Sequence, residues 1–169
     1  MAGVTDQLIR LIELAKKQDD SYLARLSELK EKHFQACREL SVDKIIPGLE
    51  TDFAAIAEVL RAVRISKTCS EETLELIAGH GELWSAQIFQ AHLQAIQADN
   101  SRFPRSRWLD ARKVLVVRPG ETGPVVDWEV STSRLAAWLK TEEVPWVVIT
   151  GYIASTPDGV ATTMKRASW

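Results

Sequence analysis

The sequence predicts one α/β domain with a helix-rich first half and a small, mainly parallel sheet in its second half. Over the first half, apolar residues recur every three or four positions, which is typical of amphipathic helices. In the second half, two β-branched runs at residues 113–117 and 146–153 flank a helical pattern at residues 131–140. This order favours a parallel strand pair joined by a right-handed crossover.

The bulk composition is that of an ordinary globular domain. Of the 169 residues, 46% are hydrophobic and 26% are charged, which is enough apolar material for a core. The formal net charge is -2, with both signs spread along the chain, so nothing favours nucleic acid or an anionic membrane as a partner. The sequence contains no apolar run of the roughly 18 residues that a membrane helix needs.

The two cysteines, Cys37 and Cys69, lack the spacing of a redox or metal-binding pair. Both lie in helical patterns, so we expect buried, reduced thiols rather than a disulfide. The first residues also lack the basic and apolar regions of a secretory signal. These features predict a protein of a reducing compartment, the cytoplasm.

The first three helices follow from their apolar stripes. The first is expected at about residues 5–17, with the Thr5 hydroxyl capping the free amides of its first turn. Ser21 is expected to open the second helix. A Pro-Gly pair then precedes a third stripe at residues 53–63.

The next helices are separated by a glycine-rich break. Ser70 and the acidic residues after it have the composition of a helix start. Residues 79–81, Gly-His-Gly, interrupt that helix, and a new helix is expected to begin at or near Glu82. Apolar residues lie on two of its stripes, which predicts a largely buried helix packed against a sheet.

The connections of the second half carry the turn residues. Residues 100–107 and 118–128 are predicted to be surface loops, and Pro-Asp-Gly at residues 157–159 predicts a hairpin turn. The helix at residues 131–140 is expected to direct three apolar side chains inward: Leu135, Trp138 and Leu139.

Glu82 admits two interpretations. A carboxylate in the first turn of a helix is stabilised by the helix dipole, which would make it a capping residue. Alternatively, it faces a cleft and holds the ammonium group of a ligand. His80 is expected in the loop, whereas His33 and His92 are interpreted as surface or boundary residues, so no zinc site is predicted.

The last residues place hydroxyl groups and cations after the second predicted strand. Thr162, Thr163, Lys165 and Arg166 would lie at the carboxyl side of the sheet, where open α/β folds bind anionic ligands. Arg166 could hold a carboxylate through two parallel hydrogen bonds, or it could simply be an exposed arginine.

Four segments carry a resemblance to a known family: MAGVTDQLIRLIELA, GHGELWSAQIF, RWLDARKVLVV and VVITGYIASTPDGVATTMKR. In this order they resemble the aspartokinase family, most closely the kinase portion of the bifunctional aspartokinase/homoserine dehydrogenases. The resemblance implies the amino-acid kinase fold, an α/β/α sandwich. It also implies transfer of the γ-phosphoryl group of MgATP to the β-carboxylate of L-aspartate, the first step towards lysine, threonine and methionine.

The resemblance also implies site residues and partners. Thr5, Glu82 and Arg166 match positions that bind aspartate in the family: Glu82 pairs with the ammonium group, Arg166 grips a carboxylate and Thr5 donates its hydroxyl. The expected partners are L-aspartate and either a second copy of the chain or the rest of an aspartokinase. A photosynthetic source would place the protein in a plastid.

Two family motifs are absent from these residues: the Lys-Phe-Gly-Gly-Thr-Ser strand that holds the transferring phosphates, and the Gly-Ser-Asp that follows the arginine. We therefore expect residues 1–169 to be a partial catalytic domain, truncated at both ends, that neither binds MgATP nor acts as a kinase alone. The alternatives are a non-catalytic module that binds aspartate or pairs with a kinase subunit, and a nonfunctional remnant. Missing strands would leave sheet edges uncovered.

Overall fold

The computed structural model describes residues 3–100, 102–121, 123–142 and 144–164. The helices are α1 Val4–Lys16, α2 Ser21–Glu39, α3 Ile46–Ser66, α4 Glu71–Ala78, α5 His80–Asp99 and α6 Trp128–Glu142, with short 3-10 turns at Asp43–Ile45 and Ala111–Lys113. The strands are β1 Ser106–Leu109, β2 Val117–Gly120, β3 Gly123–Val126, β4 Trp146–Ile149, β5 Ile153–Ser155 and β6 Ala161–Thr163. The predicted class, an α/β fold with a helix-rich first half, is confirmed.

The first five helices share one apolar core. Their inward stripes bury large aliphatic side chains completely, and burying each of these stabilises the fold by about 1.5–3 kcal/mol. The most deeply buried of them are Leu8, Ile12, Leu49, Leu60 and Ile77. The apolar spacing read from the sequence therefore positions the helices correctly.

Of the two N-terminal helix caps predicted from the sequence, the structure contains one. Ser70 caps α4 as predicted, because its hydroxyl oxygen accepts a hydrogen bond from the Thr73 amide at 3.2 Å. The predicted Thr5 cap is wrong: the cap position of α1 is Gly3, in a left-handed conformation with φ of 76°, and Thr5 is the second residue of the helix. Burial of Val4 explains the earlier start, since this side chain packs in the core only if it is helical.

His33 is fully buried, so its interpretation as a surface or boundary residue is wrong. Its ring lies edge-on to Phe53 and Trp84, with centroids 5.7 Å and 4.9 Å away. Its Nδ1 is 2.7 Å from the Leu29 carbonyl oxygen, which satisfies one ring nitrogen inside the core. The rings of His33, Phe53 and Trp84, from three different helices, thus form an aromatic cluster. The helical spacing of His33 in the sequence does not show whether its side chain lies in this cluster or on a polar face.

The cysteine prediction is confirmed for Cys37, which is buried and free. Cys69 is also free, but it is only half-buried. Burial raises the pKa of both thiols above the ordinary value, which favours the protonated form.

The parallel strand pair exists, but its first strand is not the predicted one. β1 pairs with β4 in parallel register, from Ser106 opposite Trp146 to Leu109 opposite Ile149. Of the segment at 113–117, predicted as a strand, Lys113 ends a 3-10 turn, Val116 forms one parallel bridge with Ser155, and only Val117 belongs to a strand, as the first residue of β2. The buried valines of this segment have high β-propensity, but the pairing partner is decided by tertiary packing.

Two antiparallel hairpins complete the second half. The predicted loop at 118–128 is largely the hairpin of β2 and β3, whereas the predicted turn between β5 and β6 is confirmed. In that turn Gly159, with φ of 83°, donates its amide to the Thr156 carbonyl at 2.9 Å. On α6 the prediction is wrong for Leu139, which is 45% exposed.

None of the helices within the described ranges has the length and apolar character needed to cross a membrane.

Candidate functional site

The junction between α4 and α5 is tighter than the sequence predicts. α5 starts at His80, two residues before the predicted start, and the amides of Glu82 and Leu83 both donate to the Gly79 carbonyl, at 3.2 Å and 3.4 Å. A Cβ atom at Gly79 would lie only 2.9 Å from Cγ2 of Ile153. Glycine is therefore required here because β5 packs directly on the junction.

The second glycine of the junction brings α1 and α5 together. A Cβ atom at Gly81 would lie 3.0 Å from Cγ1 of Val4 and 3.7 Å from the backbone nitrogen of Thr5. The start of α1 thus lies directly against the first turn of α5, which carries Glu82. Thr5 and Glu82 are distant in the sequence, and this contact brings their backbones together.

The start of α1 offers hydrogen-bond donors at this contact. The amides of the first turn of an α-helix have no carbonyl partner within the helix, and the first amide of α1 with such a partner is that of Gln7, which bonds the Gly3 carbonyl at 3.1 Å. The cap residue, Gly3, has no side chain that could accept a hydrogen bond from these amides. Amides at a helix start favour an anion as a partner.

The Glu82 carboxylate lies beside the carboxyl end of a parallel strand. Its Oε2 is 3.6 Å from where a Cβ atom would lie on Gly151, two residues after β4. The side chain is half-buried and makes no hydrogen bond or ion pair with the described part of the chain. No side-chain hydrogen bond caps α5, but Glu82 lies in its first turn, where the helix dipole also stabilises a carboxylate.

The end of β6 lies beside the segment that follows β4. β6 ends at Thr163, and the Met164 amide donates to the Tyr152 carbonyl at 2.7 Å, one residue from Gly151. Lys165 and Arg166 lie outside the described residues. The structure thus places the backbone of Thr5 against Gly81, next to Glu82, while the convergence of the Thr5, Glu82 and Arg166 side chains stays a prediction.

His80 lies in the first turn of α5 rather than in a loop. Its Nδ1 is 2.8 Å from the Leu76 carbonyl oxygen, and its ring centroid is 5.6 Å from that of Trp84. Burial lowers the pKa of His80 below its ordinary value, although the bond to the Leu76 carbonyl opposes that shift. The lowered pKa favours the neutral form of this ring near pH 7.

Sequence reasoning missed Gly151 and Tyr152 as site residues. Tyr152 has φ of 61°, a left-handed conformation that is uncommon for any residue other than glycine. The one available signal was their position, directly after a β-branched run at the end of a predicted strand.

A separate cleft lies between α4 and the two hairpins. Its walls include Val117, Pro119 and Val160, together with Glu75, which accepts a hydrogen bond from the Thr162 hydroxyl. Neither Thr5 nor Glu82 lines this cleft. The candidate site therefore rests on the meeting of α1, α5 and β4. Among the described residues, no three His, Cys, Asp or Glu side chains cluster as a metal site would require.

The fold of the chain resembles that of the aspartokinases. It superposes on Escherichia coli aspartokinase III in complex with lysine and aspartate with a TM-score of 0.80 and 23% identity, covering 98% of this chain and 36% of that one. For the same enzyme in complex with aspartate and ADP, the TM-score is 0.79 at 22% identity, covering 98% and 35%. Clostridium acetobutylicum aspartate kinase gives 0.64 at 18% identity, covering 96% and 31%.

In sequence, the chain is similar to bifunctional aspartokinase/homoserine dehydrogenases of plants. The chain is 36% identical over 171 aligned positions to the chloroplastic bifunctional aspartokinase/homoserine dehydrogenase 1 of Zea mays, covering 98% of this chain. The corresponding protein 2 of Arabidopsis thaliana is 35% identical over 98% of the chain. No family model matches. The chain is thus a relative of the aspartokinases in sequence and in fold, and it spans 18% of the length of these bifunctional proteins.

Proposed function

We propose that this chain is the aspartate-binding part of an aspartokinase, and that L-aspartate binds where α1, α5 and β4 meet. One observation carries the proposal: the half-buried Glu82 carboxylate faces Gly151 at the carboxyl end of a parallel strand, without a hydrogen-bonding partner in the described residues. A charged group held in this way gains most from a ligand of opposite charge.

The chemistry of the site matches an amino acid with two carboxylates. Glu82 would accept charge-assisted hydrogen bonds from the ligand ammonium group. The amides at the start of α1, which have no carbonyl partner within the helix, would bind one carboxylate together with the Thr5 hydroxyl. Arg166 is proposed to hold the other. The aspartate in the E. coli aspartokinase III complexes supports this choice of ligand.

We propose that the phosphoryl transfer itself needs groups beyond these residues. Transfer from ATP to a carboxylate joins two anions, so it depends on neutralising charge and on positioning the nucleotide. The sequence has neither the Lys-Phe-Gly-Gly nor the Gly-Ser-Asp motif, to which the family resemblance assigns the phosphate-binding groups. We therefore propose that MgATP is bound by groups other than these residues. The residues present would bind and orient the acceptor for a reaction leading to lysine, threonine and methionine.

The expected partner is the rest of an aspartokinase, or a second copy of the chain. Strand β4 supports an association of this kind, because Trp146 and Ile149 are 44% and 51% exposed on a strand that pairs only with β1 in the described part of the sheet. The names of the plant relatives place those proteins in the chloroplast. A plastid location is proposed for a photosynthetic source, and the cytoplasm otherwise.

Isothermal titration calorimetry with L-aspartate tests the binding proposal. The parent chain should release or absorb binding heat, and Glu82→Gln should weaken the affinity at least about tenfold, because the substitution removes the charge and keeps the shape. Glu58→Gln is the matched control, since Glu58 is an exposed glutamate in the middle of α3. Equal affinity in the parent and in Glu82→Gln would reject the proposed role of Glu82. A parent chain without binding would reject the function.

A further inference from the structure

The connection between β4 and β5 is a γ-turn centred on Tyr152. The Ile153 amide donates to the Gly151 carbonyl at 2.7 Å, and Tyr152 between them has φ of 61°. A γ-turn with positive φ at its centre is rare and strained, particularly at a residue with a large side chain. Strain of this kind persists only where the surrounding structure fixes it, and it concentrates at functional sites.

The surroundings of the Tyr152 side chain fix the turn. Tyr152 packs against a buried cluster formed by Leu83, Ala111 and Ile153. Leu83, one member of this cluster, is the neighbour of Glu82 on α5, so the cluster connects the turn with the first turn of that helix. The ring therefore holds the backbone in a conformation that the backbone alone would not choose.

The turn sets the position of two groups at the candidate site. On one side it presents Gly151, whose Cα faces the Glu82 carboxylate without a side chain between them. On the other side its central carbonyl, that of Tyr152, accepts the Met164 amide at 2.7 Å. The chain continues from Met164 towards Arg166. One strained residue thus connects the Glu82 side of the site with the end of β6.

We propose that Tyr152 is a positioning residue for aspartate binding: its γ-turn holds Gly151 and the end of β6 in register with Glu82. The inference rests on the proposed aspartate site. It assigns to Tyr152 a role through the backbone, which neither periodicity nor motif spacing indicates.

Three substitutions of Tyr152 distinguish the contribution of its backbone turn from that of its aromatic ring. Tyr152→Phe keeps both the ring and the turn. Tyr152→Gly removes the ring, but glycine adopts positive φ without strain. Tyr152→Val removes the turn, because a β-branched residue rarely adopts positive φ, while it keeps part of the apolar contact. A purely structural role predicts that the glycine variant is the most impaired, since it loses the most packed surface.

A positioning role predicts a different order, in which the valine variant has the weakest affinity for L-aspartate. Calorimetry should find Tyr152→Phe equal to the parent, Tyr152→Gly within about threefold, and Tyr152→Val weakened about tenfold or more. Urea unfolding should show the glycine variant to be the least stable. Aspartate affinity would then depend on whether the variant keeps the γ-turn, and the free energy of unfolding would depend on whether it keeps the aromatic ring. Parent-like affinity in Tyr152→Val, or weaker affinity in Tyr152→Gly than in Tyr152→Val, would overturn the proposal.

Amide hydrogen exchange gives a readout that does not depend on aspartate. Exchange of the Met164 amide should be faster in Tyr152→Val than in Tyr152→Gly, because only the valine displaces the acceptor carbonyl. Unchanged Met164 exchange in Tyr152→Val would overturn the positioning role even if the parent does not bind aspartate. A parent without binding but with the expected exchange pattern would instead reject the proposed function and leave the turn as a structural device.

Discussion

The indole Nε1 of Trp84 donates a hydrogen bond to Oδ2 of Asp52 at 3.1 Å, which joins the fully buried centre of α5 to α3. The same indole ring stacks on Phe53, with centroids 4.1 Å apart and an interplanar angle of 21°. Because Trp84 lies two residues after Glu82, this contact anchors the helix that carries the candidate carboxylate. Packing of the helical half therefore determines where Glu82 points.

Removing the acceptor should destabilise the fold. Asp52→Ala leaves the buried indole N–H unsatisfied, and the expected loss in the free energy of unfolding is about 1–3 kcal/mol. Asp52→Asn keeps an acceptor oxygen at the same position and should lose less than half as much. Urea denaturation followed by tryptophan fluorescence measures both. Equal losses in the two variants would show that charge, rather than the hydrogen bond, is the relevant property of Asp52.

The contact of Gly81 with Val4 predicts a second stability effect. In Gly81→Ala the new methyl group meets Cγ1 of Val4 at 3.0 Å, so overpacking of about 1–3 kcal/mol should exceed the helix-propensity gain of about 1 kcal/mol. Gly48→Ala is the control, since Gly48 lies within α3 with no atom within 4 Å of the added Cβ. It should stabilise the chain by about 0.5–1 kcal/mol.

A double-mutant cycle identifies the contact responsible. Combining Gly81→Ala with Val4→Ala should recover part of the loss, because the smaller side chain makes room for the new methyl group. Additive losses in the double variant, measured by urea unfolding, would mean that the two residues do not constrain each other.

Mild acid should destabilise the chain through two histidines, the fully buried His33 and the half-buried His80. Burial lowers the pKa of His33, as it does that of His80, so both are neutral in the folded state at a pH where the unfolded chain already binds protons. Their contribution to stability is therefore complete above the unfolded pKa of about 6.5 and is lost as the pH falls below it.

The measurement is the free energy of unfolding in urea at pH 7.5, 6 and 5. It should fall over this range, and His33→Leu should reduce the slope because one of the two groups no longer titrates. A parent whose stability is constant from pH 7.5 to pH 5 would contradict the assignment of neutral, buried rings.

The helices could be predicted from the sequence because each one buries a stripe that it carries itself. The start of α2 at Ser21 and the cap at Ser70 follow from local chemistry that needs no partner. The buried position of His33 could not be predicted in this way, because it depends on rings from α3 and α5.

The sheet was harder to predict because strand pairing is not local. Residues 113–117 have the composition of a buried strand, yet β1 at 106–109 is the strand that pairs with β4. Of the candidate site, Glu82 was found through a motif. Its neighbour Gly151 and the γ-turn at Tyr152 became visible only in three dimensions, since a tyrosine with positive φ has no sequence signature.

The most direct test of the central claim is the coupling between the ligand ammonium group and Glu82. Calorimetry would compare L-aspartate with succinate, which lacks the ammonium group, in the parent chain and in Glu82→Gln. We predict that the substitution weakens L-aspartate binding but leaves succinate binding unchanged, with a coupling energy of about 1.5–3 kcal/mol. Equal effects of Glu82→Gln on both ligands, or no binding of L-aspartate by the parent, would contradict the account.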